Sequence, residues 1–295
     1  MSVPALPHWQ PQGPDSRCVL QGHQLGWENC TPTSVAMAVE RSTLSALRPS
    51  GCEVRDFTGD YIGGTTLPQC VKYAAAHNIH VDTYVGPNVV SPFYVGTQIR
   101  AGRSGVLQGN TEALLSTSHR STGGRVNHAV YVAAVRGGSG GEPDAALVYD
   151  PAADGRVAGW GKAAQGPQWW PWLTVKKFAA SLRPSSTDGG LTGTVLGPGK
   201  CYVALFPDTE PHAHFRYGGS RTTPFPDRTR VDVTALWSHR TPAYGTTNRI
   251  SPRLERDGLF VAYQRVVKSG VLWLGSHDGT RWVPASKMRN VGGSQ

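Results

Sequence analysis

The chain has 295 residues and carries 29 Lys and Arg against 20 Asp and Glu, a formal net charge of +9. Its length allows two domains, and its 36 Gly and 22 Pro favour a loop-rich, β-containing structure over a helical bundle. No run approaches the roughly 20 apolar residues of a membrane span, and no secretory signal is visible at the N-terminus. The five cysteines contain no Cys-x-x-Cys pair, which argues against a zinc site and a disulfide framework. We therefore expect no metal, no other cofactor and no insertion into a membrane.

The first strong pattern is the apolar run behind Cys30, which predicts a helix over residues 31–47. Thr31 or Thr33 can cap this helix, and Pro32 suits its first turn. A thiol at a helix N-terminus meets unpaired N–H groups and the positive end of the helix dipole, and both favour the thiolate. Cys30 is therefore a candidate nucleophile, although a buried and inert cysteine is the common alternative.

Further helices and short strands follow in alternation. In chain order the patterns predict a helix over 67–77, strands over 79–85 and 104–108, strands over 125–135 and 145–151, a helix over 175–182 and a strand over 201–206.

Two of these strands carry side chains that could assist a cysteine nucleophile. His128 lies near the start of the strand over 125–135, and Asp150 comes at the end of the next strand. A histidine base needs a third group to fix its tautomer, and Asp150 is placed to supply it. Gln24, six residues before Cys30, could donate a hydrogen bond to an oxyanion beside the sulfur. These four residues are the candidate catalytic set.

Three tryptophans occur within the four residues 169–172. Aromatic rings can stack on sugars, so that the cluster could form a substrate platform. The favoured interpretation is a hydrophobic plug that fixes the following helix to the sheet, with one ring, Trp169, at the rim of the cleft.

The pattern of Gln24, Cys30-Thr-Pro-Thr-Ser-Val-Ala-Met, Asn127-His128-Ala-Val and Asp150-Pro151 resembles the bacteriocin-processing type of papain-like cysteine peptidase. The resemblance covers roughly residues 15 to 207, with Thr31 where the family usually has Gly. It implies a papain-like α+β domain over 1–208 in which Cys30 is the nucleophile, His128 the base, Asp150 the orienting carboxylate and Gln24 the oxyanion donor. Trp27 and Asn127 would shape the cleft, together with Trp169.

Residues 209–226 are rich in Gly and Pro and are predicted to be a linker. Beyond it, short β segments over 231–237, 259–266, 271–275 and 280–283 define a second domain over 227–295. Its Trp-Leu-Gly and Asp-Gly-Thr-Arg-Trp-Val segments resemble the bacterial SH3-like barrels that dock enzymes on cell walls. The alternative is a plain accessory barrel with its tryptophans in the core.

Charge is concentrated in this second part of the chain. Residues 209–295 hold 13 Lys and Arg against 6 Asp and Glu, a net charge of +7. A basic β module suits a polyanionic surface, either wall polymers or nucleic acid. We expect peptidoglycan and anionic wall polymers as partners, and no nucleic acid, because no recognition helix, zinc finger or basic-aromatic sheet motif accompanies the charge.

A cysteine peptidase joined to a wall-binding barrel resembles a phage endolysin of the lysin A type. The resemblance implies a monomer, without a signal peptide, that waits in the host cytoplasm until lysis and then cuts peptide bonds in the wall. Two alternatives stay open. One is a non-catalytic wall-binding or virion protein on a peptidase scaffold, and the other is a bacterial cysteine peptidase that acts on proteins.

Overall fold

The chain folds into two compact units. The computed structural model describes residues 6–11, 19–20, 23–24, 29–60, 64–122, 124–138, 141–153, 165–185, 193–207, 213–217, 220–221, 232–233, 235–244, 248–255, 259–276 and 279–293. The first unit comprises 1–75 and 81–208, and the second comprises 76–80 and 209–295. Within the described residues, no helix has the length and apolar character needed to cross a membrane.

The first unit combines helices with a six-stranded antiparallel sheet, so that its class is α+β. The helices are α1 Cys30–Ser42, α2 Gly51–Thr58, α3 Leu67–Ala76, α4 Pro92–Arg100 and α5 Trp172–Ala180. The strands are β1 Val19–Leu20, β2 His23–Gln24, β3 Asp82–Tyr84, β4 Ser104–Asn110, β5 Asn127–Arg136, β6 Ala145–Tyr149, β7 Gln168–Pro171 and β8 Tyr202–Phe206. The large sheet has the order β3-β8-β4-β5-β6-β7, and β1 and β2 form a separate pair.

The two faces of the sheet are covered by different helices. Alternate residues of a strand point to opposite faces, and β5 shows the consequence. Val130 and Val132 belong to the main apolar core, together with side chains of α4 and α5. Tyr131 instead lies next to Arg41 of α1. Helix α1 is buried from its second residue to its last. The chain therefore places the helix that begins with Cys30 inside the unit.

The tryptophan-rich segment is mainly a plug, as predicted. Trp170 and Trp172 are 1% and 3% exposed and belong to the core, while Trp169 is 38% exposed.

Several elements differ from the prediction. Helix α1 ends at Ser42 and not at 47, because Leu44 and Ser45 adopt positive φ angles of 48° and 60° that a helix cannot contain. Neither Thr31 nor Thr33 caps α1, since both lie inside the helix behind the N-cap residue Asn29. Helices α2 and α4 were not predicted.

One cysteine takes part in a disulfide, although the spacing of the cysteines argued against a disulfide framework. Cys52 is disulfide-bonded, whereas Cys30, Cys70 and Cys201 are free.

The second unit is built from β-strands. They are β9 Ala213–Tyr217, β10 Ser220–Arg221, β11 Asp232–Val233, β12 Ala235–His239, β13 Arg249–Glu255, β14 Leu259–Ala262, β15 Gln264–Lys268, β16 Val271–Gly275, β17 Trp282–Pro284 and β18 Met288–Gly293. Antiparallel sheets of five strands (β13-β12-β17-β16-β15) and three strands (β14-β9-β18) are accompanied by the pair β10-β11. A small core gathers apolar side chains from both larger sheets, namely Leu254, Phe260, Ala262, Leu274 and Val283.

The predicted linker over 209–226 is wrong in its central part. Residues 213–217 form β9, which pairs with β14 on one side and β18 on the other. These partners lie more than 40 residues further along the chain, so no local pattern around β9 could indicate the pairing.

Candidate active site

Cys30 is the first residue of α1, and its side chain is partly exposed. The preceding residue, Asn29, is buried and makes no capping hydrogen bond to the helix. Its amide is used elsewhere, because Nδ2 donates to Cys52 Sγ at 3.6 Å and Oδ1 accepts from Arg55 Nη1 at 3.4 Å. Asn29 is therefore held by buried side chains of α2, and its own side chain does not cap the first N–H groups of α1.

His128 and Asp150 form the second part of the site. His128 is the second residue of β5, and Asp150 follows the last residue of β6. Both side chains are almost fully buried, and His128 Nε2 lies 2.7 Å from Asp150 Oδ1. Because Nε2 is occupied by the carboxylate, Nδ1 is the ring nitrogen left for Cys30, and His128 is close enough to Cys30 to lower the pKa of its thiol. The structure thus brings Cys30, His128 and Asp150 together in one site.

The charges of these three groups shift the pKa of each group in the direction that favours its charged form. Burial alone would raise the pKa of the Cys30 thiol, but the hydrogen bond and charge of His128 outweigh it and hold the pKa below 9.0. Burial alone would lower the pKa of His128, but the charge and hydrogen bond of Asp150, with a smaller part from Cys30, raise it to about 10. The pKa of Asp150 falls below 3.8, because the positive charge of His128 outweighs its burial. These shifts favour a thiolate next to an imidazolium over the neutral pair.

Two hydroxyl groups at the start of α1 lie close to the site. Thr31 Oγ1 lies 4.0 Å from Cys30 Sγ and helps to lower the thiol pKa. The Thr31 side chain is therefore in contact with the sulfur. Ser34, one helical turn after Cys30, donates from Oγ to the carbonyl oxygen of Ala129 at 3.2 Å. This bond ties α1 to the strand residue that follows His128.

The ring of His128 is packed against α5. Its centroid lies 6.4 Å from that of Phe178, in an edge-to-face arrangement. On the neighbouring strand, Gly109 stands opposite His128, and a Cβ added at Gly109 would come within 2.4 Å of Phe178. A residue without a side chain is needed there so that α5 can approach the sheet beside His128.

The other predicted site residues have different outcomes. The backbone of Gln24 lies in β2, paired with Val19, while its side chain and the whole of Trp27 fall outside the described residues. Asn127 uses both ends of its amide in the fold: Nδ2 donates to Arg183 O at 2.6 Å, and Oδ1 accepts from Arg183 N and Asn110 Nδ2. The Asn127 side chain thereby joins the start of β5 to the segment after α5.

Trp169 lies on the edge strand β7, two strands away from β5. The guanidinium of Arg136 covers its ring at 4.4 Å from the centroid. This cation–π contact involves neither Cys30 nor His128, and a substrate-binding role for Trp169 remains a prediction.

Sequence reasoning missed several residues around Asp150. Asp150 Oδ1 accepts a second hydrogen bond from Ala152 N at 2.8 Å, and the Ser121 hydroxyl helps to lower the carboxyl pKa. The indole of Trp9 donates to the backbone oxygen of Asp150 at 3.0 Å. An Asp-Pro-Ala turn could have indicated the Ala152 bond, but Trp9 is 141 residues away from Asp150 and has no local signal.

No group of three or more His, Cys, Asp or Glu side chains that could hold a metal ion occurs in the part of the chain that the structure describes.

Comparisons with known proteins give distant matches among solved structures. No family model matches the chain, and no curated protein matches it. A solved structure from Bacillus anthracis, described as a C39-like peptidase of inferred activity, matches with 13% identity and a TM-score of 0.34, over 62% of this chain and 90% of that one. A second structure, Ly7917, matches with 16% identity and a TM-score of 0.19, over 75% of this chain and 64% of that one. At these values the similarity identifies neither fold nor activity, and function rests on the site itself.

Proposed function

We propose that the chain is an endolysin in which a papain-like cysteine peptidase cuts peptide bonds of bacterial peptidoglycan and an SH3-like module binds the cell wall. The observation that carries the peptidase part is the buried His128–Asp150 pair, with His128 near enough to Cys30 to lower the pKa of its thiol. A buried carboxylate on one nitrogen of an imidazole and a thiol near the ring form the arrangement that nucleophilic acyl transfer requires.

The reaction begins with attack of the Cys30 thiolate on the substrate carbonyl. The developing oxyanion would meet the backbone N–H of Cys30 at the start of α1 and the Gln24 amide. His128, as imidazolium, gives its Nδ1 proton to the leaving amine, and the acyl group stays on the sulfur as a thioester. The neutral His128 then takes a proton from water, whose oxygen attacks the thioester and releases the thiolate. Asp150 keeps Nε2 protonated throughout and stabilises the imidazolium.

The cleft would be shaped by Trp27, Asn127 and Trp169. The Asn127 amide is bonded within the fold, so its contribution would be to hold the walls of the cleft in place.

Charge and aromatic rings in the second unit support the wall-binding part. Residues 209–295 carry a net charge of +7, which suits anionic wall polymers. Tyr244 is 63% exposed and stands over Trp273 and His239, with ring centroids 4.9 and 5.8 Å away. Such a supported ring can stack on a sugar or peptide group. Tyr263, another aromatic of this unit, is less suited because its hydroxyl accepts a hydrogen bond from the amide of His80.

The peptidase part is tested by Cys30→Ala in the full chain, with purified actinobacterial-type peptidoglycan as the substrate. The variant should release no new amino groups, while Cys201→Ala, which removes a free cysteine outside the proposed site, should digest the wall. Mass spectrometry of the products identifies the bond that is cut. Digestion at the wild-type rate by Cys30→Ala would reject a cysteine peptidase.

The same preparations separate the alternatives. A wild-type chain that sediments with walls but never cuts them would be a non-catalytic binding protein. A chain that cuts denatured proteins and leaves walls intact would be a bacterial peptidase of another role.

The wall-binding part is tested with full-length Cys30→Ala, since residues 227–295 alone would lack β9. We expect sedimentation with walls that weakens between low and moderate salt, because exposed charges are screened within about 10 Å at 0.1 M. Tyr244→Ala should weaken the binding that survives salt. Tighter binding to double-stranded DNA than to walls at physiological salt would contradict this part of the proposal.

A further inference from the structure

Residues 6–11, which we call the N-terminal strap, are fastened to the first unit by side-chain hydrogen bonds. The backbone N–H of His8 donates to Glu40 Oε2 at 3.3 Å, and His8 Nδ1 lies 2.7 Å from Glu40 Oε1. Glu40 belongs to α1 and is 1% exposed. Gln10 Nε2 donates to the carbonyl oxygen of Pro49 at 2.9 Å. The strap is thus anchored to the helix that carries Cys30 and to the segment that follows this helix.

Between these two anchors, Trp9 reaches the turn that carries Asp150. Its indole Nε1–H donates to the backbone oxygen of Asp150 at 3.0 Å. The same oxygen accepts from Ala153 N at 3.1 Å, and Asp150 Oδ1 accepts from His128 and from Ala152 N. Among the described hydrogen-bond partners of the backbone of this turn, Trp9 is the one donor that comes from a distant part of the chain. Without it, the turn would be held by its own amides and by His128.

We propose that the N-terminal strap is a positioning element of the active site, in which Trp9 fixes the main chain of Asp150 and so sets the direction from which its carboxylate holds His128. The inference rests on the proposed function for its role in catalysis. Trp9 touches no reacting atom, and it acts through Asp150. Because its neighbours His8 and Gln10 are bonded to α1 and Pro49, the strap holds Asp150 and the Cys30 helix in one frame.

The physical reason is the directionality of hydrogen bonds. A hydrogen bond weakens steeply when its angle departs from linearity, and Asp150 is joined to His128 by Oδ1 while Oδ2 makes no hydrogen bond of regular geometry. A small rotation of the turn therefore affects the single bond that holds His128. The titratable groups that face His128 are Cys30 from α1 and Asp150 from the end of β6. A looser Asp150 stabilises the imidazolium less, and the thiolate opposite it is then less favoured.

The first test is Trp9→Phe in the full chain, which keeps most of the ring and deletes the N–H donor. The rate of Cys30 alkylation by iodoacetamide, measured from pH 5 to 9 by peptide mapping, reports the thiolate without any substrate. We expect a loss of about 2- to 10-fold at pH 6, the effect of one buried hydrogen bond, and a shift of the titration to higher pH. Gln10→Ala, which loosens the strap at Pro49 and leaves the bond to Asp150, is the matched control and should retain the wild-type titration.

A double-mutant cycle separates positioning from a merely structural role. In an Asp150→Asn background the charge that Trp9 orients is absent, so that Trp9→Phe should cost less than it does in the wild type. Equal losses in both backgrounds, an unchanged titration in Trp9→Phe, or an equal loss in Gln10→Ala would overturn the proposal. If Trp9→Phe does not fold, Trp9→Leu deletes the same N–H donor, and a wild-type titration in that variant would overturn the proposal equally.

These readouts are independent of the substrate. If the wild-type chain leaves peptidoglycan uncut but shows the expected Cys30 titration and its loss in Trp9→Phe, the proposed substrate fails and the strap stands. If peptidoglycan is cut and Trp9→Phe matches the wild type, the strap fails alone.

Discussion

Asp150→Asn is the substitution whose effect follows most directly from the site. The two side chains have nearly the same shape, so the change removes a charge without creating a cavity. Asp150 Oδ1 accepts from His128 Nε2 at 2.7 Å and from Ala152 N at 2.8 Å, whereas Oδ2 makes no regular hydrogen bond. The amide oxygen can therefore keep the position of Oδ1 with both donors, and the NH₂ group takes the position of Oδ2. His128 would keep its tautomer and lose the negative charge beside it.

The size of the effect follows from the hydrogen bond that is weakened. A bond to a charged acceptor contributes about 1.5–3 kcal/mol and a neutral one about 0.5–1.5 kcal/mol, so the imidazolium loses roughly 1–2 kcal/mol of stabilisation. At about 1.4 kcal/mol per factor of ten, kcat should fall about 5- to 30-fold. Cys30→Ala and His128→Ala, which remove the reacting groups, should abolish turnover.

The pH dependence gives the sign of the electrostatic effect. Activity needs the thiolate of Cys30 and the imidazolium of His128, so the profile is bell-shaped between their apparent pKa values. Burial would lower the pKa of His128, but the charge and hydrogen bond of Asp150 outweigh burial and raise it to about 10. Without that carboxylate, burial lowers the pKa of His128, and the alkaline limb moves to lower pH. The weaker imidazolium also stabilises the thiolate less, so the acid limb moves to higher pH and the profile narrows.

The assay is the initial rate of amino-group release from peptidoglycan between pH 5 and 10, with Tm measured for each variant. Asp144→Asn makes the same chemical change at an exposed position and should leave both the rate and the profile unchanged. A wild-type profile in Asp150→Asn would show that Asp150 does not act on His128. A loss above about 1,000-fold with an unchanged Tm would show that the new amide presents its NH₂ group to His128 and so inverts the tautomer of the imidazole. That result would contradict the expectation that the amide oxygen keeps the position of Oδ1, where it accepts from His128 and Ala152.

Three further predictions test the surroundings of the site. Gly109→Ala places a Cβ 2.4 Å from Phe178 and should lower the free energy of unfolding in urea by about 1–3 kcal/mol. The control Gly64→Ala meets nothing within 4 Å and should leave the stability unchanged. Equal stabilities of the two variants would contradict the close approach of α5. Arg41→Met removes a buried guanidinium that donates to a carbonyl of β5 at 2.6 Å, and a loss of about 1.5–3 kcal/mol is expected. Among the free cysteines that the structure describes, iodoacetamide near pH 6 should label Cys30 first, because burial raises the thiol pKa of Cys70 and Cys201. Earlier labelling of either would refute this order.

The main parts of the candidate site could be predicted from the sequence because their signals are local. An apolar run behind Cys30 indicates a helix, and β-rich runs place His128 at a strand start and Asp150 at a strand end. The order of the three side chains then predicts nucleophile, base and orienting group before any coordinates are known. Composition and charge likewise indicate a basic, β-rich C-terminal part, since they are sums over the chain.

Tertiary structure decided whatever depends on residues far apart in the chain. Asn29 stands at the N-cap of α1 without capping it, because its amide is bonded to Cys52 and Arg55 of α2. Strand β9 lies in a Gly- and Pro-rich stretch that predicts a linker, and it is a strand because β14 and β18 satisfy its backbone from both sides. Trp9 meets Asp150 across 141 residues. A hydrogen bond of this kind has no period or local signature, because its partner is chosen by packing.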